Sequence, residues 1–342
     1  NRRVHPDASV EDEIDRVWRK RLDANPCIFN GCKFRLKAML PRRGSSIVIE
    51  SNGGSQGDRS VGGCSGAFAA TASTSQKEHP SLAIELGLTD YRSYLGTNAS
   101  DSADRLIRDG LDIHEDREAF LSMKLGVGSV TLTADGFLVF ILRSSHVAEA
   151  QGMVDVPGGH PEPENIGLPD IGSLSRREAR GISSSDDDKF CKRAVAEIFD
   201  SAVDEVVAET NAPRKSLRGQ YQCTDGNDGG TGAVLLGIVN QLPTAGAPSF
   251  AFGIRCSLTR AELEARYELG AEEAEESVRL IFASESSLIE RLKRTSAVDA
   301  AIEDCAFATL SFERDELAPM RFTPSTRGCL TLWLAHTIGV GG

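Results

Sequence analysis

The stretch Val195-Ala196-Glu197-Ile198-Phe199-Asp200-Ser201-Ala202-Val203-Asp204-Glu205-Val206-Val207-Ala208-Glu209-Thr210-Asn211 decides how this chain is read. Val195, Ile198, Phe199, Ala202, Val203, Val206 and Val207 recur at helical spacing and form one continuous apolar stripe, which predicts a helix over 190–210 packed on a core. Glu205 and Glu209 are four apart, so they lie one above the other beside that stripe, while Glu197, Asp200 and Asp204 point further away. Carboxylates at a core boundary are unfavourable unless they are paired or bound to a cation. Two at this spacing suit an oxygen-seeking ion such as Mg²⁺. Taken alone, a Glu-x-x-x-Glu pair is most often a solvated helix edge, so its surroundings must decide.

Upstream, Ser129–Thr133 and 137–142 are apolar runs joined by Asp135-Gly136, a strong hairpin signal. A third strand at 153–156 runs into Pro157-Gly158-Gly159, and 166–189 is polar and irregular, an expected flexible excursion. Downstream, strands are expected at 233–239, 250–256 and 278–283. Helices are expected after Thr259 and after Ser287, because Thr259…Glu262 and Ser287…Glu290 both fit a capping box. Near the start, Ile14, Val17, Trp18 and Leu22 have helical spacing, and Asn25-Pro26 ends that helix. Phe34, Leu36, Ala38 and Leu40 alternate as in a strand. The Gly- and Ser-rich segment 44–77 reads as a mobile loop. The expected organisation is an N-terminal part, 1–120, and a main domain, 121–342, interrupted by 166–189.

The composition narrows the function. Thirty-eight basic residues face fifty acidic ones, for a net charge of −12, which is not the clustered basic footprint of a nucleic-acid binder. An acidic enzyme acting on a polyanion would need a divalent cation to neutralise both sides. The eight cysteines form no CxxC pair and have no His at zinc-ligand spacing, so reduced thiols in a cytoplasmic protein are expected. The longest apolar runs, 137–142 and 330–335, are far too short to span a bilayer, so no membrane partner is expected. No signal peptide is visible, although the chain starts at Asn1 rather than Met, which leaves the true N-terminus open.

Gly158 followed by Glu164, then Asp204-Glu205-Val206-Val207-Ala208-Glu209-Thr210-Asn211, resembles the Nudix box G-x5-E-x7-R-E-U-x-E-E-x-G-U, where U is bulky and apolar. Glu205 and Glu209 match its two key metal-binding glutamates. The departures are Asp204 for the arginine, Ala208 for a third acid, and Asn211 for the glycine, although Asn tolerates the same left-handed backbone. The arginine position also falls at 204 rather than 172. Outside the box, Gly87-Leu88-Thr89-Asp90-Tyr91-Arg92, Leu95-Gly96-Thr97-Asn98 and Val154-Asp155-Val156-Pro157-Gly158-Gly159-His160-Pro161-Glu162-Pro163 are similar to signatures of the UDP-glucose/UDP-galactose diphosphatase branch of Nudix hydrolases. That branch shares the interrupted box and lacks the arginine.

The resemblance implies an α/β fold: a Nudix α/β/α sandwich with a mixed β-sheet and a smaller N-terminal α/β extension. It implies Mg²⁺ (or Mn²⁺) held by Glu205 and Glu209, and a nucleotide sugar contacted by the positions matching Phe29, Tyr91, Arg143, Ala148, Asp155, His160, Glu162 and Ser325. Each suits a task. Phe29 and Tyr91 offer flat faces to a base, and Arg143 offers a forked donor to phosphate. Asp155 can accept from base or ribose donors, and His160 and Glu162 can bind hexose hydroxyls or move a proton. Glu164, His160 and Glu276 are open candidates for a general base. The rival readings are a Nudix enzyme acting on ADP-ribose, NADH or CoA, and a weakly catalytic sugar-nucleotide binder, conceivable because Ala208 lacks a carboxylate.

Overall fold

A computed structural model describes residues 1–42, 49–50, 81–144, 150–179, 184–219, 232–271, 277–294 and 321–338. The chain is mixed α/β and forms two compact units, residues 1–125, 161–198 and 242–248 in one, and 126–160, 199–241 and 249–342 in the other.

In the first unit, α1 (Ala8–Ala24) starts where Asp7 accepts a bond from the Ser9 amide, and it stops at Asn25. The alternation over 33–40 becomes β1 (Cys32–Arg42), which shares a three-stranded sheet with β2 (Ile49–Glu50) and β3 (Ser81–Asp90) in the order β1-β3-β2, β3 at the centre. The rest of the expected 44–77 loop lies outside the described residues. β1 pairs antiparallel with β3 from Cys32↔Asp90 to Arg42↔Ser81. On its other edge a short segment bridges to it at Arg35↔Lys124, with the Leu125 amide donating to Phe34 O at 2.8 Å. Two helices, α2 (Tyr91–Gly96) and α3 (Ala103–His114), follow the sheet. Val10, Leu106, Phe120, Leu121 and Met123 form one core, and Tyr94, Leu95 and Ala247 form a second with Val17, Trp18 and Tyr91 against it. The segment 166–189 departs from its expected irregularity. Ile166 and Leu168 are buried, and the segment forms α4 (Ser173–Ala179) and the first turn of α5 (Ser184–Thr210). Its acidic run is the N-terminal turn of that helix, where negative charge is favoured.

The second unit holds an eight-stranded mixed sheet. Its path is β11-β5-β4-β10-β8, with β6 on β5, β7 on β4 and β9 on β10. The strands are β4 (Gly126–Leu132), β5 (Phe137–Arg143), β6 (Val154–Asp155), β7 (Gly158–Gly159), β8 (Leu217–Gly219), β9 (Val234–Gln241), β10 (Ala247–Cys256) and β11 (Ser277–Ser284). β10 runs parallel to β4, and β5 and β8 run antiparallel to their neighbours. The β4–β5 hairpin turns through Gly136 at φ +83°, after the Gly136 amide donates to Thr133 O.

Helices cover both faces of this sheet. Ser129 Oγ donates to Ala202 O of α5 at 2.8 Å, whereas a Cβ on neighbouring Gly128 would point at Cys329 of α8 (Pro324–Ile338). Successive strand residues face opposite sides, so α5 and α8 lie on opposite faces. The core beneath α8 joins Val130, Leu132, Leu138 and Phe140 to Cys329, Leu330 and Trp333. α6 (Arg260–Glu268) carries the expected Thr259/Glu262 capping box in full. α7 (Glu285–Arg294) begins before the expected Ser287 box, because Ser284 Oγ accepts from the Ser287 amide.

Among the described residues five cysteines are free thiols: Cys27 is exposed, Cys191 half-buried, and Cys32, Cys256 and Cys329 buried. Burial pushes Cys32 and Cys329 each up to about 12. No helix among the described residues is long and apolar enough to cross a membrane.

Candidate active site

The chemistry-bearing helix is α5. Its apolar side is buried at Ile198, Ala202, Val203 and Val206, and Phe199 packs edge-on against Phe252 of the sheet at 5.1 Å. It ends where Asn211 takes φ +57°, the left-handed conformation that a glycine would otherwise supply. Asn211 Nδ2 then donates to Arg266 O at 2.7 Å, which secures that end.

Glu205 and Glu209 both reach the Pro157-Gly158-Gly159-His160 turn. The Gly158 amide donates to Glu209 Oε2 at 3.0 Å, and the His160 amide donates to Glu205 Oε1 at 3.2 Å. Glu209 is only 1% exposed, which is tolerable for a carboxylate only when it is partnered. Both glycines are required by space. A Cβ on Gly159 would lie 2.5 Å from Glu205 Cδ, and a Cβ on Gly158 would strike Val127 O on the neighbouring strand. Asp204, in the position of the missing arginine, is exposed and pairs with Arg214, which also holds Asp200 at 2.5 Å.

Other expected site residues in this unit form a second group. Arg143 lies 3.5 Å from Asp155, both largely covered. Asp155 Oδ1 accepts from Thr323 Oγ1 at 2.6 Å and Thr326 Oγ1 at 2.7 Å. Burial raises the Asp155 pKa, and Arg143 and the two threonines oppose the rise. Ser325 is on the first turn of α8, near Gly128.

The first unit holds the remaining members. The Tyr91 amide donates to Gly31 O, and Asn30 Oδ1 accepts from the Arg92 amide at 2.7 Å. These bonds bring the Phe29 loop beside Tyr91, and Phe29 is 73% exposed. Tyr91 is half-buried between Trp18 and Tyr94. Glu162 pairs with Lys33, and its amide donates to Glu197 Oε1 at 2.8 Å. Glu164 is exposed in a short 3₁₀ turn, Pro163–Ile166. Ala148 and Glu276 lie outside the described residues.

No family model matches the chain. Compared with individual proteins, it is 35% identical over 285 residues to the Mus musculus protein named uridine diphosphate glucose pyrophosphatase NUDT22, covering 82% of this chain and 73% of that one. The Homo sapiens protein of the same name is 34% identical over 285 residues, with 83% and 75% covered. Nudix hydrolase 9 of Arabidopsis thaliana is 32% identical over 211 residues, covering 62% of this chain and 56% of its own. The chain belongs to the Nudix hydrolase family. The resemblance to the UDP-glucose pyrophosphatase branch therefore holds over most of its length.

Members of the Nudix family use a divalent cation, and the donor set of this Nudix hydrolase fits one. Glu205 and Glu209 converge from one helix on a turn whose Gly159 leaves room for a carboxylate directly against the backbone. The two carboxylates supply hard oxygen donors. Among the described residues no group of three or more His, Cys, Asp or Glu gathers at one point. That is acceptable for an ion that keeps several waters and needs only one or two carboxylates.

Sequence reasoning missed several contributors. Thr323 and Thr326 were readable, since Thr323 before Pro324 is a helix N-cap with Pro at the first helical position. Glu197, Lys33 and Arg214 act through contacts distant in sequence and left no local signal.

Proposed function

We propose that this Nudix hydrolase cleaves the diphosphate bridge of UDP-sugars, UDP-glucose and UDP-galactose, giving UMP and a sugar 1-phosphate. The observation that carries the reading is the convergence of Glu205 and Glu209 on the Gly158–His160 turn. It is supported by relatives whose names state UDP-glucose pyrophosphatase. Mg²⁺, with Mn²⁺ as a substitute, is the cation we assign to Glu205 and Glu209; when bound it supplies Lewis acidity toward the diphosphate oxygens.

The rest of the work falls to side chains of the chain itself. Gly158 and His160 amides orient the two carboxylates. Arg143, steadied by Asp155, presents its fork to a phosphate, and Asp155 is in turn fixed by Thr323 and Thr326. Phe29 and Tyr91, on a loop and a helix start tied together by backbone bonds in the first unit, are assigned to the uracil face. His160, Glu162 and Ser325 are assigned to the sugar nucleotide, with Ala148 completing the set. The N-terminal part, 1–120, thus acts as a substrate-binding extension of the hydrolase domain, 121–342. A cytoplasmic setting belongs to the same reading and is supported by the free thiols among the described residues.

Both expected products are phosphate monoesters and UDP-glucose is not. A phosphatase-coupled release of inorganic phosphate from UDP-glucose therefore reads the reaction directly. Cation-dependent release is expected. No release with Mg²⁺ or Mn²⁺ would overturn the assignment.

A further inference from the structure

Lys124 is a buried cation that the reading above leaves unused. It is 6% exposed, and its Nζ lies 3.7 Å from the centre of the Tyr94 ring and 5.0 Å from that of Tyr91. The rings of Tyr91 and Tyr94 are stacked at 6.2 Å with 20° between their planes, and Trp18 meets Tyr91 edge-on at 6.4 Å. Two tyrosine rings thus meet one ammonium, and Trp18 abuts the cluster at Tyr91.

Both Lys124 and Tyr91 are anchored by local backbone bonds. Lys124 sits in backbone paired with β1, through the Arg35↔Lys124 bridge and the flanking Leu36 N to Met123 O and Leu125 N to Phe34 O bonds. Tyr91 opens α2 behind the Asp90 N-cap, whose carboxylate accepts from the Ser93 amide at 2.7 Å. An ammonium over aromatic faces is attracted by the ring quadrupole, and the attraction is strongest where water is excluded. It therefore selects one orientation of the Tyr91 ring from those its two side-chain torsions allow.

We propose that Lys124 is a positioning residue for the nucleoside end of the substrate, acting through Tyr91. The inference rests on Tyr91 being a base-stacking platform. With the cation and Tyr94 packed against its ring, Tyr91 is held ready-made at the start of α2, where its amide is bonded to the loop that carries Phe29. Loss of the charge releases the ring and weakens binding of substrate and transition state alike.

The test compares full-length wild type, Lys124→Met, Lys124→Arg, Tyr91→Leu and the double variant Lys124→Met/Tyr91→Leu. kcat and KM are measured with UDP-glucose and Mg²⁺, and thermal unfolding is followed alongside. Lys124→Met is expected to raise KM about tenfold with kcat within twofold, the scale of one desolvated cation–π contact. Lys124→Arg should restore most of the loss. In the Tyr91→Leu background, Lys124→Met should add little, because its route is gone. Equal effects of Lys124→Met with and without Tyr91, or a fall in kcat with KM unchanged, would overturn the proposal. If Tyr91→Leu leaves KM unchanged, the platform reading fails and this inference with it. If Tyr91→Leu raises KM and Lys124→Met does not, only this inference fails.

Discussion

Gly158 and Gly159 are adjacent, yet substitution with alanine should damage different properties. Neither has a positive φ, so alanine is compatible with the backbone and each effect comes from space. At Gly159 the new Cβ would lie 2.5 Å from Glu205 Cδ and 2.8 Å from Oε2. Ordinary carbon–carbon contact needs about 3.5 Å, so the carboxylate must retreat by about 1 Å. A side-chain end can do this cheaply, so the fold should change by less than about 1 kcal/mol, partly offset by the smaller entropy of the unfolded chain. Misplacement of a catalytic group by about 1 Å costs on the order of a hundredfold in rate. At Gly158 the obstacle is Val127 O, with Gly128 Cα at 3.0 Å, both backbone atoms of β4. They cannot move without disturbing the Gly128↔Gly158 pairing, so overpacking should cost about 1–3 kcal/mol of stability. Coupled phosphate release and denaturant unfolding on both variants separate the cases. A Gly159→Ala enzyme with a near wild-type rate would refute the view that this glycine exists to clear Glu205.

Glu205→Gln and Glu209→Gln keep shape and remove charge, so each should abolish cation-dependent turnover with little change in unfolding; near-normal rates in both would move the metal site elsewhere. In a panel at equal concentration, UDP-glucose and UDP-galactose should exceed ADP-glucose, ADP-ribose and NADH by roughly a hundredfold or more in kcat/KM. That is the outcome of leaving two buried polar groups unpaired at about 1–3 kcal/mol each, and equal rates on ADP-ribose and UDP-glucose would reject the base assignment. Asp7 is held at about 2 rather than the ordinary 3.8 by bonds from the Ser9 hydroxyl, Arg105 and the Ser9 amide. Its stabilising charge is therefore present above about pH 4 and lost as pH falls toward 2. Asp7→Asn keeps an N-cap but not the charge, so the stability difference between wild type and variant should shrink from pH 5 to pH 2; a constant difference would contradict the shift.

What was legible in the sequence was local. The α5 stripe, the alternation in β1, the Asp135-Gly136 turn and the Thr259 box each depend on neighbours a few residues apart, and all four appear where expected. α8 was not legible, because its residues near 330–334 are apolar on more than one side and leave no polar stripe to give a period. The burial of Glu209 was only half legible. A helical wheel places it at the edge of the stripe, but the turn that covers it lies 51 residues earlier in the chain. Arg143 and Asp155 likewise meet because β5 pairs with β6 at Ile141↔Asp155, a register that neither residue signals.

The thiols carry a practical consequence. A thiol raised to about 12, as at Cys32 and Cys329, is ionised in only about one molecule in ten thousand near pH 8, and burial adds a steric barrier. Cys256 is raised in the same direction by burial. Among the described cysteines, alkylating reagents should therefore reach Cys27, which is exposed just after α1 and two residues before Phe29, with half-buried Cys191 the next accessible. With Cys64, Cys191, Cys223 and Cys305 changed to serine, a fluorophore on Cys27 becomes a reporter placed two residues from the one assigned to the nucleobase, and occupancy could be followed by its emission without any turnover.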